Sequence, residues 1–146
     1  MTQEATAPLS SPEAFRRASA LHGVGKHAEA EAVLRDAIAR DPGNANLRNA
    51  RGVMFAAMGR HLDALWCYRD ALALNPTGPG LWINLGNALT QLKHVKGAVH
   101  CHRRAIELSQ GDDALLVHNL GVSLAEAGQH GEAVIAFSQA LEAKPQ

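Results

Sequence analysis

The sequence contains few cysteines, no long apolar run and no recognisable targeting segment. Cys67 and Cys101 are the only cysteines among 146 residues and form no C-x-x-C pair, which excludes a disulfide framework. No window of 18 or more apolar residues occurs, and the N-terminal MTQEATAPLSS lacks both a basic start and an apolar core. Membrane spanning and secretion are therefore disfavoured, and a cytoplasmic location is expected.

Charge of either sign is scarce and balanced. Lys and Arg number 14, Asp and Glu number 14, and charged residues make up only 19% of the chain. The sequence pI is about 7.1, so the overall balance favours neither a nucleic acid nor a membrane surface as a partner. Apolar residues reach 47%, which is enough for the core of one ordinary domain.

Motifs for catalysis or cofactor binding are also missing. The sequence has no G-x-G-x-x-G, Walker, G-x-S-x-G or H-E-x-x-H pattern. The HCH stretch at 100–102 suggests a metal site, but residues two apart on a helix point about 200° apart and do not easily share one ion. His102 is instead predicted to pack in the interior. We expect no enzyme activity, no catalytic residues, no cofactor and no metal.

Four related segments make up nearly the whole chain. Their equivalent positions are 34, 34 and 35 residues apart, as a column of small residues shows: Ala18, Gly52, Gly86 and Gly121. Two more columns contain only alanine: Ala30, Ala64, Ala98 and Ala133, then Ala37, Ala71, Ala105 and Ala140. Proline ends three of the segments in a fourth column: Pro42, Pro76 and Pro145, with Gln110 in the third segment. This repeat decides the fold.

Each segment has the pattern of two antiparallel helices. Apolar residues recur at helical spacing on both sides of a central turn, small residues let the paired backbones approach, and proline ends the second helix. Three of the central turns contain a glycine, which suits a residue with positive φ: Gly25, Gly59 and Gly128. Lys93 replaces this glycine in the third segment, so its turn is predicted to differ. Asp112 or Asp113 is predicted to cap the helix that follows.

These columns resemble the tetratricopeptide repeat, whose pattern is Trp-x2-Leu-Gly-x2-Tyr, then Ala-x3-Phe, then Pro, over about 34 residues. The third segment matches the first half of the pattern with Trp82, Leu85 and Gly86. The second and fourth match the later half: Ala64, Tyr68 and Pro76, and Ala133, Phe137 and Pro145. The departures are Arg17 and Arg51 in place of Leu, His102 in place of an aromatic residue, and Gln110 in place of Pro.

The resemblance implies an all-α fold, an α-solenoid of four helix-turn-helix units that form a right-handed superhelix with a concave and a convex surface. It divides the chain into a flexible tail at 1–10 and four repeat units, at 11–44, 45–78, 79–113 and 114–146. The first unit is divergent, and the last has no capping helix after it.

In the first helix of each unit, positions 2, 5, 6, 9, 12 and 13 face away from the paired helix. The resemblance implies that this stripe lines the concave groove. Its middle is neutral and rich in carboxamides, which both donate and accept and so can pair with the backbone of an extended peptide. The residues predicted to bind a peptide or a partner are Asn46, Asn49, Asn84, Asn87, Thr90, His118 and Asn119. The alternative is that these side chains occupy a tolerated solvent-facing position and bind nothing.

The primary hypothesis is therefore a protein–protein interaction module that holds an extended peptide or partner protein in its groove. Asn84 and Asn119 also resemble the asparagine ladder of O-linked N-acetylglucosamine transferases and bacterial glycosyltransferases, which implies as an alternative the substrate-presenting N-terminal region of such an enzyme. A third hypothesis is a self-associating scaffold, a homo-oligomer formed through the last repeat, since no following helix covers Val134, Phe137 and Leu141. The family's carboxylate clamp is disfavoured because Arg16 is the only Lys or Arg in the stripe.

Two further residue pairs are interpreted from the repeat. Cys67 and Cys101 share a column, and equivalent positions of stacked units lie about 10 Å apart, which is beyond the reach of a disulfide. Both are predicted to be buried. Trp82 is predicted to belong to the core, whereas Trp66 is predicted to lie toward the convex side.

Overall fold

The structure is a computed structural model that describes residues 7–109 and 113–143, and over these ranges the chain is all-helical. Within them, eight α-helices form four consecutive pairs, which confirms the all-α class. The helices are α1 (Ser11–Gly23), α2 (His27–Arg40), α3 (Ala45–Ala57), α4 (His61–Leu74), α5 (Pro79–Gln91), α6 (Val95–Ser109), α7 (Ala114–Glu126) and α8 (His130–Glu142). Most of the predicted N-terminal tail, residues 1–6, lies outside the described residues, as do Gln110 and Pro145.

Polar side chains cap the N-termini of the first helices in three units. Ser10 and Glu13 form a capping box at α1, in which each side chain pairs with the backbone N–H of the other residue. Asn44 accepts a hydrogen bond from the Leu47 N–H at 3.2 Å. Asp113 does the same for the Leu115 N–H at 3.0 Å, which confirms the predicted cap, while Asp112 lies outside the described residues. These contacts satisfy N–H groups that the helix itself leaves unpaired.

The turn inside the third unit has the same conformation as the others, so the prediction that it differs was wrong. Lys93 has φ 65°, close to the φ of 75° at Gly59. The Lys93 N–H donates to Thr90 and the His94 N–H to Leu89, at 3.0 and 2.9 Å. The turn at Gly59 makes the same two bonds. A side chain in this left-handed region costs about 1–2 kcal/mol, and the helix packing on both sides of the turn outweighs that cost.

The column of small residues marks where the two helices of a unit come closest. A Cβ atom built on Gly52 would lie 2.5 Å from the Tyr68 ring, and one on Gly86 would lie 2.6 Å from His102 Nε2. At Gly121 the nearest atom would be in the Phe137 ring, at 2.7 Å. Glycine is therefore required beside a ring in each of these three units. His102 fills the aromatic position, as predicted, and is buried.

Successive units stack because each second helix packs against the first helix of the next unit. Helices α2, α4 and α6 contact α3, α5 and α7 in this way, and the first helices α1, α3 and α5 also neighbour one another. Both cysteines are buried, and burial raises the pKa of the Cys67 and Cys101 thiols to about 11, so both remain protonated. Among the described residues, no helix is long and apolar enough to cross a bilayer.

Candidate functional site

The seven predicted binding residues lie on first helices α3, α5 and α7, and all keep some exposure to solvent. Asn46, Asn87 and His118 are exposed. The remaining four are half-buried: Asn49, Asn84, Thr90 and Asn119. We call the surface that carries these seven residues the inner face. A half-buried carboxamide is held in place by its neighbours while its polar atoms still reach solvent.

Two of these asparagines meet across neighbouring units. Asn84 Nδ2 on α5 donates to Asn49 Oδ1 on α3 at 2.8 Å. Within the described residues, no hydrogen bond occupies the Asn49 nitrogen or the Asn84 oxygen. The pair therefore orients the unbonded Asn49 amide nitrogen, a donor, and the unbonded Asn84 amide oxygen, an acceptor, at the junction of two units. Both residues are among the seven predicted from the sequence, but their mutual hydrogen bond is not predictable from it.

The other predicted residues differ in their environments, although the repeat places them on the same stripe. Thr90 Oγ1 donates to the Gly86 carbonyl of its own helix at 3.0 Å. Its donor is therefore already used. His118 packs its ring 5.3 Å from that of Phe137, in the last unit. The structure thus brings Asn49 and Asn84 together, whereas His118 belongs to a different part of the inner face.

A buried polar contact lies behind the inner face. His102 Nδ1 lies 2.8 Å from Ser123 Oγ on α7, and Nε2 lies 3.2 Å from Asn87 Oδ1 on α5. The amide oxygen only accepts, so Nε2 carries the proton and Nδ1 accepts from the Ser123 hydroxyl. Burial lowers the pKa of His102, although a backbone hydrogen bond with Ile83 opposes the shift, and the ring is neutral. Ser123 was not among the predicted residues, because it belongs to no sequence motif.

A hollow of about 320 Å³ opens in the inner face where the first three units meet, and we call it the inner hollow. Its wall includes small apolar side chains of α3 and α5. Its polar lining consists of imidazole, phenol and carboxamide groups. No Lys, Arg, Asp or Glu is among its described lining residues: His22, Val53, Ala56, Ala57, His61, Tyr68, Asn84, Asn87, Ala88 and Gln91.

Part of the inner hollow could be predicted from the sequence. Gln91 and His22 occupy the predicted stripe, although neither was among the seven selected residues. His61 and Tyr68 come from the second helix α4, which the stripe does not include. Their contribution depends on how far α4 lies behind the first helices, and no periodic signal reports that distance.

Among the described residues, no helix packs against the outer side of α8, and we call Val134, Phe137 and Leu141 the terminal face, in which Phe137 is partly buried. Val134 is 63% exposed and Leu141 is 70% exposed. At the equivalent positions of the second unit, Leu65 and Leu72 of α4 are each 9% exposed, because α5 covers them. A hollow of about 540 Å³ beside Phe137 also exposes Leu115.

The two tryptophans differ in environment. Trp82 is partly buried against the core, and its Nε1–H donates to the Pro76 carbonyl at 2.9 Å. Trp66 is exposed, with the Arg69 guanidinium 5.2 Å from its ring centroid. Among the described residues, no group of three or more His, Cys, Asp or Glu side chains is placed to hold a metal ion.

Comparisons with known proteins agree with this architecture. A family model described as tetratricopeptide repeat matches residues 15–79 and 83–146. No curated protein matches the chain.

A solved structure titled "Crystal structure of MamA" is 18% identical, with a TM-score of 0.83, and the match covers 90% of this chain and 76% of that one. "MamA 41-end from Desulfovibrio magneticus RS-1" has 18% identity and a TM-score of 0.83, over 93% and 77% of the two chains. "MamA MSR-1 C2" has 20% identity and a TM-score of 0.79, over 97% and 79%. At such identities the likeness concerns the fold.

Proposed function

The chain belongs to the tetratricopeptide repeat family, and on that premise we propose that it binds an extended peptide segment of a partner protein along its inner face. The coarser role, a protein–protein interaction scaffold, is the one that the family supports. The observation that supports peptide binding along the inner face is the contact between Asn49 and Asn84, which presents an unused donor and an unused acceptor. An extended peptide offers a carbonyl and an N–H in the same way.

Recognition of this kind is non-covalent and depends on the backbone of the peptide. The Asn49 nitrogen would donate to a peptide carbonyl, and the Asn84 oxygen would accept from a peptide N–H. Because both groups are neutral, salt would weaken the complex less than it weakens binding by ion pairs. The half-buried side chains lose little freedom on binding, which lowers the entropic cost.

The experiment begins with selection of 12-residue peptides from a random phage-displayed library on the immobilised chain. The selected peptides are then synthesised with both ends blocked, and the dissociation constant is measured by fluorescence anisotropy. The variant Asn49→Ala/Asn84→Ala should weaken binding about 5- to 150-fold, which corresponds to about 1–3 kcal/mol. Its stability should stay near that of the wild type, because both partners of the hydrogen bond are removed together.

Gln139→Ala provides the matched control, since Gln139 is an exposed carboxamide on the second helix α8. It should leave the dissociation constant unchanged. Equal affinity of the wild type and the double variant would show that the peptide does not use the inner face. The solved structures described above do not favour the alternative of a glycosyltransferase region.

We also propose that two copies of the chain associate through the terminal face. The face consists of Val134, Phe137 and Leu141, at spacings of three and four residues along α8, the spacing of a helix-packing seam. The first described helix, α1, does not complement it, because α1 exposes Glu13 and Arg17. Burying those charges against an apolar surface is costly, whereas two terminal faces cover each other without that cost.

Light scattering across a range of concentrations tests the association. The wild type should become dimeric as the concentration rises, and Val134→Lys/Leu141→Lys should remain monomeric. Ile135→Lys is the control, because Ile135 is also an exposed apolar residue of α8 but does not belong to the terminal face. A wild type that stays monomeric up to millimolar concentration would refute the association.

A further inference from the structure

We infer that the inner hollow seats one tyrosine side chain of the bound segment. This inference rests on the proposed function, because it assigns a side-chain specificity to the same inner face. The geometry that carries it is a recess between three units, lined by apolar side chains and by polar groups without Lys, Arg, Asp or Glu.

The size of the inner hollow suits an aromatic ring. Its volume is about 320 Å³. A closed apolar cavity of about 150 Å³ is enough to bind benzene, so a ring fits here with room for its Cβ and for partial opening to solvent. Val53, Ala56 and Ala88 supply apolar contact surface, and Tyr68 and two imidazoles add aromatic groups to the lining, which attract another aromatic ring.

No Lys, Arg, Asp or Glu is among the described lining residues, which disfavours a charged side chain of the ligand. A Lys, Arg, Asp or Glu side chain placed in the recess would lose water and meet no opposite charge, which is unfavourable. An uncharged residue with an apolar body and a polar tip matches both the apolar wall and the polar lining of the site. Tyrosine is such a residue, and the Gln91 carboxamide in the lining can donate to or accept from its hydroxyl.

The experiment uses blocked 12-residue peptides of Gly, Ser and Asn that differ only in one central residue: Tyr, Phe, Leu, Ser, Glu or Lys. Affinities are measured by fluorescence anisotropy. The tyrosine peptide should bind about ten- to a hundredfold more tightly than the serine peptide, because an aromatic ring is buried. It should bind about two- to tenfold more tightly than the phenylalanine peptide, because of the hydroxyl. The Glu and Lys peptides should bind no better than the serine peptide.

Two variants connect this preference to the recess. Ala56→Leu fills the inner hollow and should reduce the advantage of tyrosine over serine to less than threefold. Ala125→Leu is the matched control: Ala125 holds the same register position in the last unit, is also partly buried and does not line the recess. It should keep the full preference. Gln91→Ala should remove only the advantage of tyrosine over phenylalanine, and it serves as the test if Ala56→Leu does not fold.

The outcomes separate this inference from the proposed function. If the tyrosine and serine peptides bind equally, or if Ala56→Leu keeps the tyrosine preference, the inner hollow does not seat the ring, while backbone binding by Asn49 and Asn84 still stands. If no peptide of this panel and no library peptide binds, the proposed function fails, and the side-chain specificity fails with it.

Discussion

Ser123→Ala tests the buried contact that joins the third unit to the fourth. In the wild type the Ser123 hydroxyl donates to His102 Nδ1 at 2.8 Å, and both side chains are buried. His102 Nε2 is directed to Asn87 Oδ1 at 3.2 Å, so the ring cannot turn to satisfy Nδ1 without losing that second partner. The substitution therefore leaves a buried acceptor without a donor.

The expected loss of stability is about 1–3 kcal/mol, the cost of an unpaired buried polar group. Urea unfolding followed by circular dichroism measures it as a lower midpoint with little change in slope. The double variant His102→Phe/Ser123→Ala should recover most of the loss, because the polar ring is gone as well. A phenyl ring fits beside the glycine of this column, as Phe137 does beside Gly121.

The pH dependence gives a second measurement on the same contact. Burial lowers the pKa of folded His102 below its ordinary value of 6.5. Below pH 6.5 the unfolded state therefore binds a proton that the folded state does not bind. The contribution of His102 to the free energy of unfolding is complete above pH 6.5 and is lost as the pH falls toward the lowered pKa, by at most about 1.4 kcal/mol per pH unit. His102→Phe lacks this component.

Two results would refute the reasoning. The first is unfolding of Ser123→Ala at the wild-type urea midpoint, which would show that His102 does not depend on the hydroxyl. Alternatively, the wild type and His102→Phe would show the same pH dependence between pH 5 and 7, in which case the ring is not buried as a neutral group.

Three further predictions concern single positions. Lys93→Gly should raise the free energy of unfolding by about 1 kcal/mol in a urea titration, because φ 65° strains a side chain, and an unchanged midpoint would contradict that conformation. Gly52→Ala should lower it by about 1–3 kcal/mol, because the new Cβ would lie 2.5 Å from the Tyr68 ring, and wild-type stability would contradict the close approach. Cys67 and Cys101, whose thiol pKa values burial raises to about 11, should not react with iodoacetamide at pH 8 until urea unfolds the chain, and fast labelling of the folded protein would contradict their burial.

The helices and their pairing could be predicted in detail from the residues. The apolar spacing and the column of small residues are local or strictly repeated signals, and each has one structural reading: a helix pair whose backbones meet at a glycine. The position of Gly86 beside His102 follows directly from the register. The turn at Lys93 could not be predicted in this way, because residue preference is a weak effect when two long helices hold the turn from both sides.

The candidate site was only partly predictable for a different reason. The stripe on each first helix identified Asn49 and Asn84 individually, because a residue's face on a helix depends only on its position in the sequence. Their hydrogen bond joins residues 35 apart, and its existence depends on the rotation between successive units. The inner hollow likewise depends on that rotation and on the depth of α4 behind α3.

The sequence by itself determined that this chain is a stack of helix pairs, which helices form each pair, and which residues each first helix turns away from its partner. It could do so because those features repeat with a nearly constant period and involve neighbours three, four, 34 or 35 residues away. The tertiary structure alone decided that Asn84 bonds to Asn49, that Ser123 satisfies His102, and that three units enclose a neutral recess. These contacts depend on the angle and distance between whole units, which result from all the packing contacts at each interface together.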